Sequence, residues 1–135
     1  MSVINDLRIG ITNQVLDDSA VEALIKDRFY PGELAEEFNP TYPCANFKIM
    51  LGRKDIDTDL LNWIPFRIWS WSELSYDEDY TIYDTIETAL QREHFDQDSA
   101  RIFCKETETP LEAHDPVSRL YYLVAGWQAR VIQIT

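Results

Sequence analysis

Ile64-Pro65-Phe66-Arg67-Ile68-Trp69-Ser70-Trp71 passes through Ser72-Glu73-Leu74-Ser75 into Tyr76 to Leu90, and reads as a strand, a serine-rich turn and one long helix. Alternate side chains of a pleated strand face opposite sides. Ile64, Phe66 and Ile68 therefore share one face, and Arg67, Trp69 and Trp71 the other. Antiparallel strands of a small domain often leave one face to water, so two tryptophans on the second face imply a helix, a loop or another subunit there. Ser75 suits an N-cap, and Glu78 stands where a capping box places its acid. Ile82, Tyr83, Ile86, Ala89 and Leu90 follow at i, i+1, i+4, i+7 and i+8, one helical stripe. The opposite side is acidic: from Glu73 to Asp98 there are nine acids against one base, Arg92, which carries −8 of the chain's net −12.

Outward from this centre the pattern predicts two helices before it. Val3, Ile4, Leu7, Ile11 and Val15 recur at helical spacing over Ser2 to Leu16, with Gly10 a mild weakness inside. Ser19-Ala20-Val21-Glu22 has the form of a capping box opening a short helix that ends near Lys26. Arg28-Phe29-Tyr30 is a brief extended piece before the turn signal Pro31-Gly32, and the chain from Pro31 to Pro43 is expected as loop, with a helical turn within Glu33 to Phe38. Cys44 to Leu51 alternates as a half-buried strand, with Ala45, Phe47, Ile49 and Leu51 on one face. The polar stretch Gly52 to Asp59 then reads as a long hairpin loop.

Beyond the long helix, Arg101 to Lys105 is predicted as a short strand and Glu106 to Pro116 as a polar loop. Leu120 to Ile132 is the last strand, where Tyr121, Leu123, Ala125, Trp127, Ala129 and Val131 make a continuous apolar face and Gly126 marks a bulge or bend. The expected fold is α+β: a mainly antiparallel sheet of four to five strands, with the long helix and the N-terminal helices packed on one face.

The totals agree with a single domain over residues 1–135. At that length about 70% of the unfolded surface is buried, enough for a core without staples. Hydrophobic residues at 45% and charged residues at 27% are ordinary globular values. The net charge of −12 disfavours a general nucleic-acid binder, because such a surface repels phosphate unless its charges segregate. The first residues have neither the basic region nor the apolar run of a signal peptide, so a cytosolic origin is expected, without a membrane span. Cys44 and Cys104 each fall within a strand and are expected as reduced core residues.

No catalytic motif is present. His94 and His114 belong to no nucleophile or metal pattern, although His114-Asp115 could form an orienting pair. Asp77-Glu78-Asp79 lacks the glycine and the spaced terminal glutamate of a calcium loop, and reads as a solvated helix start. The four glycines are scattered singly, so no loop is built to cradle phosphate. No metal, cofactor or catalytic residue is expected. Four tryptophans and seven tyrosines are a surplus that suits either a core or an interface. Arg67 beside Trp69 and Trp71 could be a base-stacking platform, but with −12 overall packing or subunit contact is favoured.

The order of these features resembles the small tail-completion or tail-terminator proteins of long-tailed bacteriophages. The likeness rests on a helix followed by a second short helix (Leu16 to Ile25), Arg28-Phe29-Tyr30-Pro31, and Thr41-Tyr42-Pro43-Cys44-Ala45 entering a strand. It continues through Phe66 to Ser72, a helix of the type Tyr80 to Leu90, and a C-terminal strand resembling Tyr121 to Val131. The acidic segment 73–98 and the Glu33 to Phe38 loop depart from the pattern. The resemblance implies a structural, non-enzymatic subunit of a ring, commonly a hexamer. That ring would close the head-proximal end of the tail tube, meet tail tube and neck or head-completion proteins, and let DNA pass without specific binding. It would assemble in the host cytoplasm and end in the virion. Subunit contacts are then expected at Arg67, Trp69 and Trp71, axial contacts at Arg53, Lys54, Asp55, Asp57 and Asp59, and an acidic channel lining from Asp77, Glu78, Asp84 and Glu87. An acidic DNA-mimic inhibitor of a host nucleic-acid-binding enzyme is the alternative, disfavoured because two-thirds of the net charge sits in one segment.

Overall fold

A computed structural model of the chain describes residues 2–34, 40–50 and 63–133. In chain order the elements are α1 (Ser2–Leu16), α2 (Ser19–Ile25), β1 (Phe29–Pro31), β2 (Cys44–Ile49), β3 (Ile64–Ser72), α3 (Tyr76–Leu90), β4 (His94–Gln97), β5 (Ala100–Asp115) and β6 (Leu120–Gln133). The strands form one sheet in the order β1-β2-β3-β6-β5-β4. Only β1 and β2 are parallel; every other pair is antiparallel. The fold is α+β as expected, with six strands among the described residues in place of four to five. The additional strand is β4, four residues whose polar alternation His94-Phe95-Asp96-Gln97 carries little sheet signal and which pairs only with the start of β5.

β3 behaves as its alternation dictates. Ile64, Phe66, Ile68, Ser70 and Ser72 are buried, while Arg67 is exposed and Trp69 and Trp71 are half-buried. The buried side packs with the helices. Leu7, Ile11 and Val15 of α1, Val21 and Ile25 of α2, and Ile82, Tyr83, Ile86 and Leu90 of α3 join Phe47, Phe66, Ile68, Leu123 and Trp127 in one cluster. Gly10 has a use there that propensity does not reveal: a Cβ on it would come within 2.4 Å of Ile102 Cδ1, so its absence lets α1 lie close against β5.

Two capping expectations change. The N-cap of α2 is Asp18, whose carboxylate accepts from the Ala20 and Val21 amides at 2.9 and 3.1 Å, and Ser19 is the first helical residue. At α3, Ser75 Oγ accepts from the Glu78 amide at 3.2 Å as predicted. The return half of the box is relayed: Ser72 Oγ donates to the Glu78 carboxylate and accepts from the Ser75 amide.

The expected loop over Glu106 to Pro116 is strand. β5 continues to Asp115 and forms a long hairpin with β6, closed by the four-residue loop 116–119. Its register slips between Glu106 and Glu108 and again between Glu108 and Leu111, where Pro110 falls. β4 pairs only with Ala100 to Phe103, so around Pro110 β5 runs along the sheet edge among the described residues, and an edge accepts proline at such an irregularity. Gly126 sits opposite that irregularity, and a Cβ on it would approach Glu108 Cβ to 3.0 Å.

Candidate functional site

The sheet face turned away from the helices carries the features that sequence reading marked for contact. Register places Lys48, Arg67 and Gly126 side by side across β2, β3 and β6, with Asn46, Trp69 and Val124 in the next such row. Trp71 stacks on Tyr122 with ring centroids 4.6 Å apart, and its Nε1–H donates to Asn46 Oδ1 at 2.7 Å. Asn46 in turn donates to the Gly32 carbonyl at 2.8 Å. Trp71 is thus anchored, whereas half-buried Trp69 makes no such hydrogen bond among the described residues. Leu111, 64% exposed, extends the apolar area beside Val124.

Towards the other end the same face is cationic. Lys48, Arg67, Arg101, Lys105 and Arg130 all lie on it, against the strand carboxylates Asp96 and Glu108. Arg101 pairs with Asp96 at 2.9 Å and Lys48 pairs with Glu33, while Lys105 Nζ lies 4.5 Å from the centre of the Trp63 ring. Arg67 and Arg130 are exposed and make no ion pair among the described residues. A hollow of about 210 Å³ opens beside Arg67, lined also by Pro65, Glu108, Gly126 and Gln128.

α3 is acidic, but its carboxylates divide into three groups. Asp77 and Asp84 are exposed on the crest of the helix, where the hydroxyls of Thr81 and Thr88 turn back to donate to their carbonyls. Glu78 and Glu87, nine residues apart, sit on opposite flanks and are committed to neighbours. Glu78 accepts from Ser72; Glu87 hydrogen-bonds Glu106, which with burial raises its pKa to about 7. Of the four acids expected to line a channel, Asp77 and Asp84 are thus exposed, and Glu78 and Glu87 are half-buried with side-chain partners.

Asp79 departs most from the solvated helix start. It is fully buried, neither carboxylate oxygen has a hydrogen-bond partner among the described residues, and burial followed by the nearby Glu78 charge pushes its pKa up to about 8. The signal was present in the spacing: Asp79 stands three and four residues before Ile82 and Tyr83, in phase with the apolar stripe.

The remaining candidates resolve simply. Asp115 does not orient His114; its carboxylate accepts from the Val117 amide and the Ser118 hydroxyl, and these bonds hold its pKa below the ordinary range. His114 packs on Tyr121 at 4.7 Å, and exposed His94 packs on Phe103 at 4.8 Å. Cys44 and Cys104 are buried free thiols, and burial raises the pKa of each, that of Cys44 to about 12. Among the described residues no group of three or more His, Cys, Asp or Glu side chains is placed to hold a metal ion. No described helix is long and apolar enough to cross a membrane. The charged segment Arg53 to Asp59, expected to make axial contacts, lies outside the described residues, as does part of the Glu33 to Phe38 loop.

No protein-family model matches the chain, and no curated protein matches it in sequence. Among solved structures, the fold is similar to that of a chain in the virion of a native gene transfer agent particle, with a TM-score of 0.72 at 12% sequence identity. The superposition covers 96% of this chain and 97% of that one, so the two share the α+β fold from end to end.

Proposed function

We propose that this protein is a structural, non-enzymatic subunit of a tailed-phage-like virion, forming a ring that ends the tail tube on its head side and joins it to the neck. The observation that carries the reading is the end-to-end fold similarity to a virion chain, over 96% of this chain and 97% of the other. The sequence pattern independently suggested the same class of protein. The open sheet face supports the ring: a half-buried aromatic surface with Trp69, Trp71 and Tyr122, beside the exposed Arg67, has the composition that interfaces favour. Arg67, Trp69 and Trp71 are the proposed subunit contacts. The segment containing Arg53, Lys54, Asp55, Asp57 and Asp59 is the proposed contact along the ring axis towards tail tube or neck protein. Electron microscopy of the purified protein, and of particles that contain it, tests the reading. Rings of about six subunits, or density for the protein at the tail–neck junction, are the expected result. A protein that neither forms rings nor enters particles would overturn it.

A further inference from the structure

Charge is segregated between the two sides of this molecule. Besides Glu108 and the Arg101–Asp96 pair, the sheet's open face presents Arg67 and Arg130, neither in an ion pair among the described residues, and Lys105 over an aromatic ring, while the crest of α3 on the opposite side presents Asp77 and Asp84. α3 contains no basic residue at all. Two copies meeting through identical faces would set cation against cation, or acid against acid, in a protein whose net charge of −12 already opposes association. Only a head-to-tail contact joins opposite charges, and repeated heterologous contacts close into a ring when the rotation allows.

We propose that the open sheet face of one subunit receives the acidic crest of α3 from the next, with Arg67, Lys105 and Arg130 facing Asp77 and Asp84 of the second copy. This rests on the ring reading and adds to it the two faces that meet. The hollow of about 210 Å³ beside Arg67, lined on one side by Glu108, is where a carboxylate of the second copy would meet the guanidinium. Trp69 and Leu111 lie at the apolar end of the same face, so the contact combines an apolar patch with a charged border. Asp77 and Asp84 are then used between subunits and do not line a channel.

The test is complementation by charge reversal. One variant carries Arg67→Glu and Arg130→Glu; a second carries Asp77→Lys and Asp84→Lys. All four side chains are exposed, and circular dichroism verifies that each variant folds. Association is followed by sedimentation velocity and native mass spectrometry over a concentration series, with rings imaged by electron microscopy. The wild type should assemble, and each variant alone should associate at least about tenfold more weakly. An equimolar mixture should assemble again in alternating order, because the reversed sheet face of one variant then meets the reversed crest of the other, and native meets native, with opposite signs at each contact. Added salt should weaken the wild-type assembly. Rings that persist in both variants, or a mixture that fails to recover, would overturn the pairing while leaving the ring reading intact. Persistent rings would return Asp77 and Asp84 to a channel or an outer surface. A wild type that stays monomeric at every concentration would overturn the pairing, and the ring reading would fall with it only if the protein were also absent from particles.

Discussion

Trp127 Nε1–H on β6 donates to the Tyr83 hydroxyl on α3 at 2.8 Å, and that hydroxyl donates onward to the Glu106 carboxylate on β5. The chain of bonds fastens the long helix to two strands where the buried, polar-tipped Tyr83 and Trp127 rings enter the core. Tyr83→Phe keeps the ring and removes the link, leaving the buried Trp127 donor without an acceptor. The expected loss is about 1–3 kcal/mol of stability, read as a lower urea midpoint with unchanged m-value. An unchanged midpoint would mean that water replaces the hydroxyl.

Asp79 makes stability depend on pH. Its folded pKa is raised from 3.8 to about 8, so between these values the native state holds a proton that the unfolded chain has released. Stability therefore falls as pH rises from about 4 to about 8, and the loss is complete above that range. Glu87, raised from 4.5 to about 7, acts in the same direction over a narrower window. Asp79→Asn should stabilise the protein at pH 8 relative to wild type and flatten the decline, most clearly between pH 7 and 8. Thermal melts across pH 5 to 9 measure this; parallel curves for the two proteins would contradict it.

Gly10→Ala should destabilise the protein even though alanine is the better helix former. The new methyl would displace Ile102 or push α1 from β5, at a cost of about 1–3 kcal/mol. A denaturant titration that finds the variant more stable would show that the Ile102 side chain can step aside freely.

Trp69 and Trp71 should separate folding from assembly. Trp71→Ala loses the stack on Tyr122 and leaves Asn46 Oδ1 without its donor, so it should cost about 1–3 kcal/mol in the isolated subunit. Trp69→Ala should have a much smaller effect on the urea midpoint and a larger one on ring yield. Normal assembly by Trp69→Ala would remove Trp69 from the interface.

The sequence by itself determined the layers of this fold. Period-two alternation in Ile64 to Trp71 and Tyr121 to Val131, and 3.6-residue periodicity from Ile82 to Leu90, each report one element facing one core, and that information is local. The stretch from Glu106 to Asp115 was not legible in this way. Its glutamates, threonines and Pro110 have weak strand preference, and it becomes strand because β6, whose Leu123 and Trp127 belong to the core, supplies hydrogen-bond partners along its length. Asp79 was legible in phase but not in chemistry, since its helical spacing points inward while its charge argues for water. Only the tertiary structure decided between them. Likewise Lys48, Arg67, Lys105 and Arg130 are scattered over 83 positions of sequence. They become one cationic surface because strand order and register bring four separate strands together, a non-local consequence that no window of the chain contains.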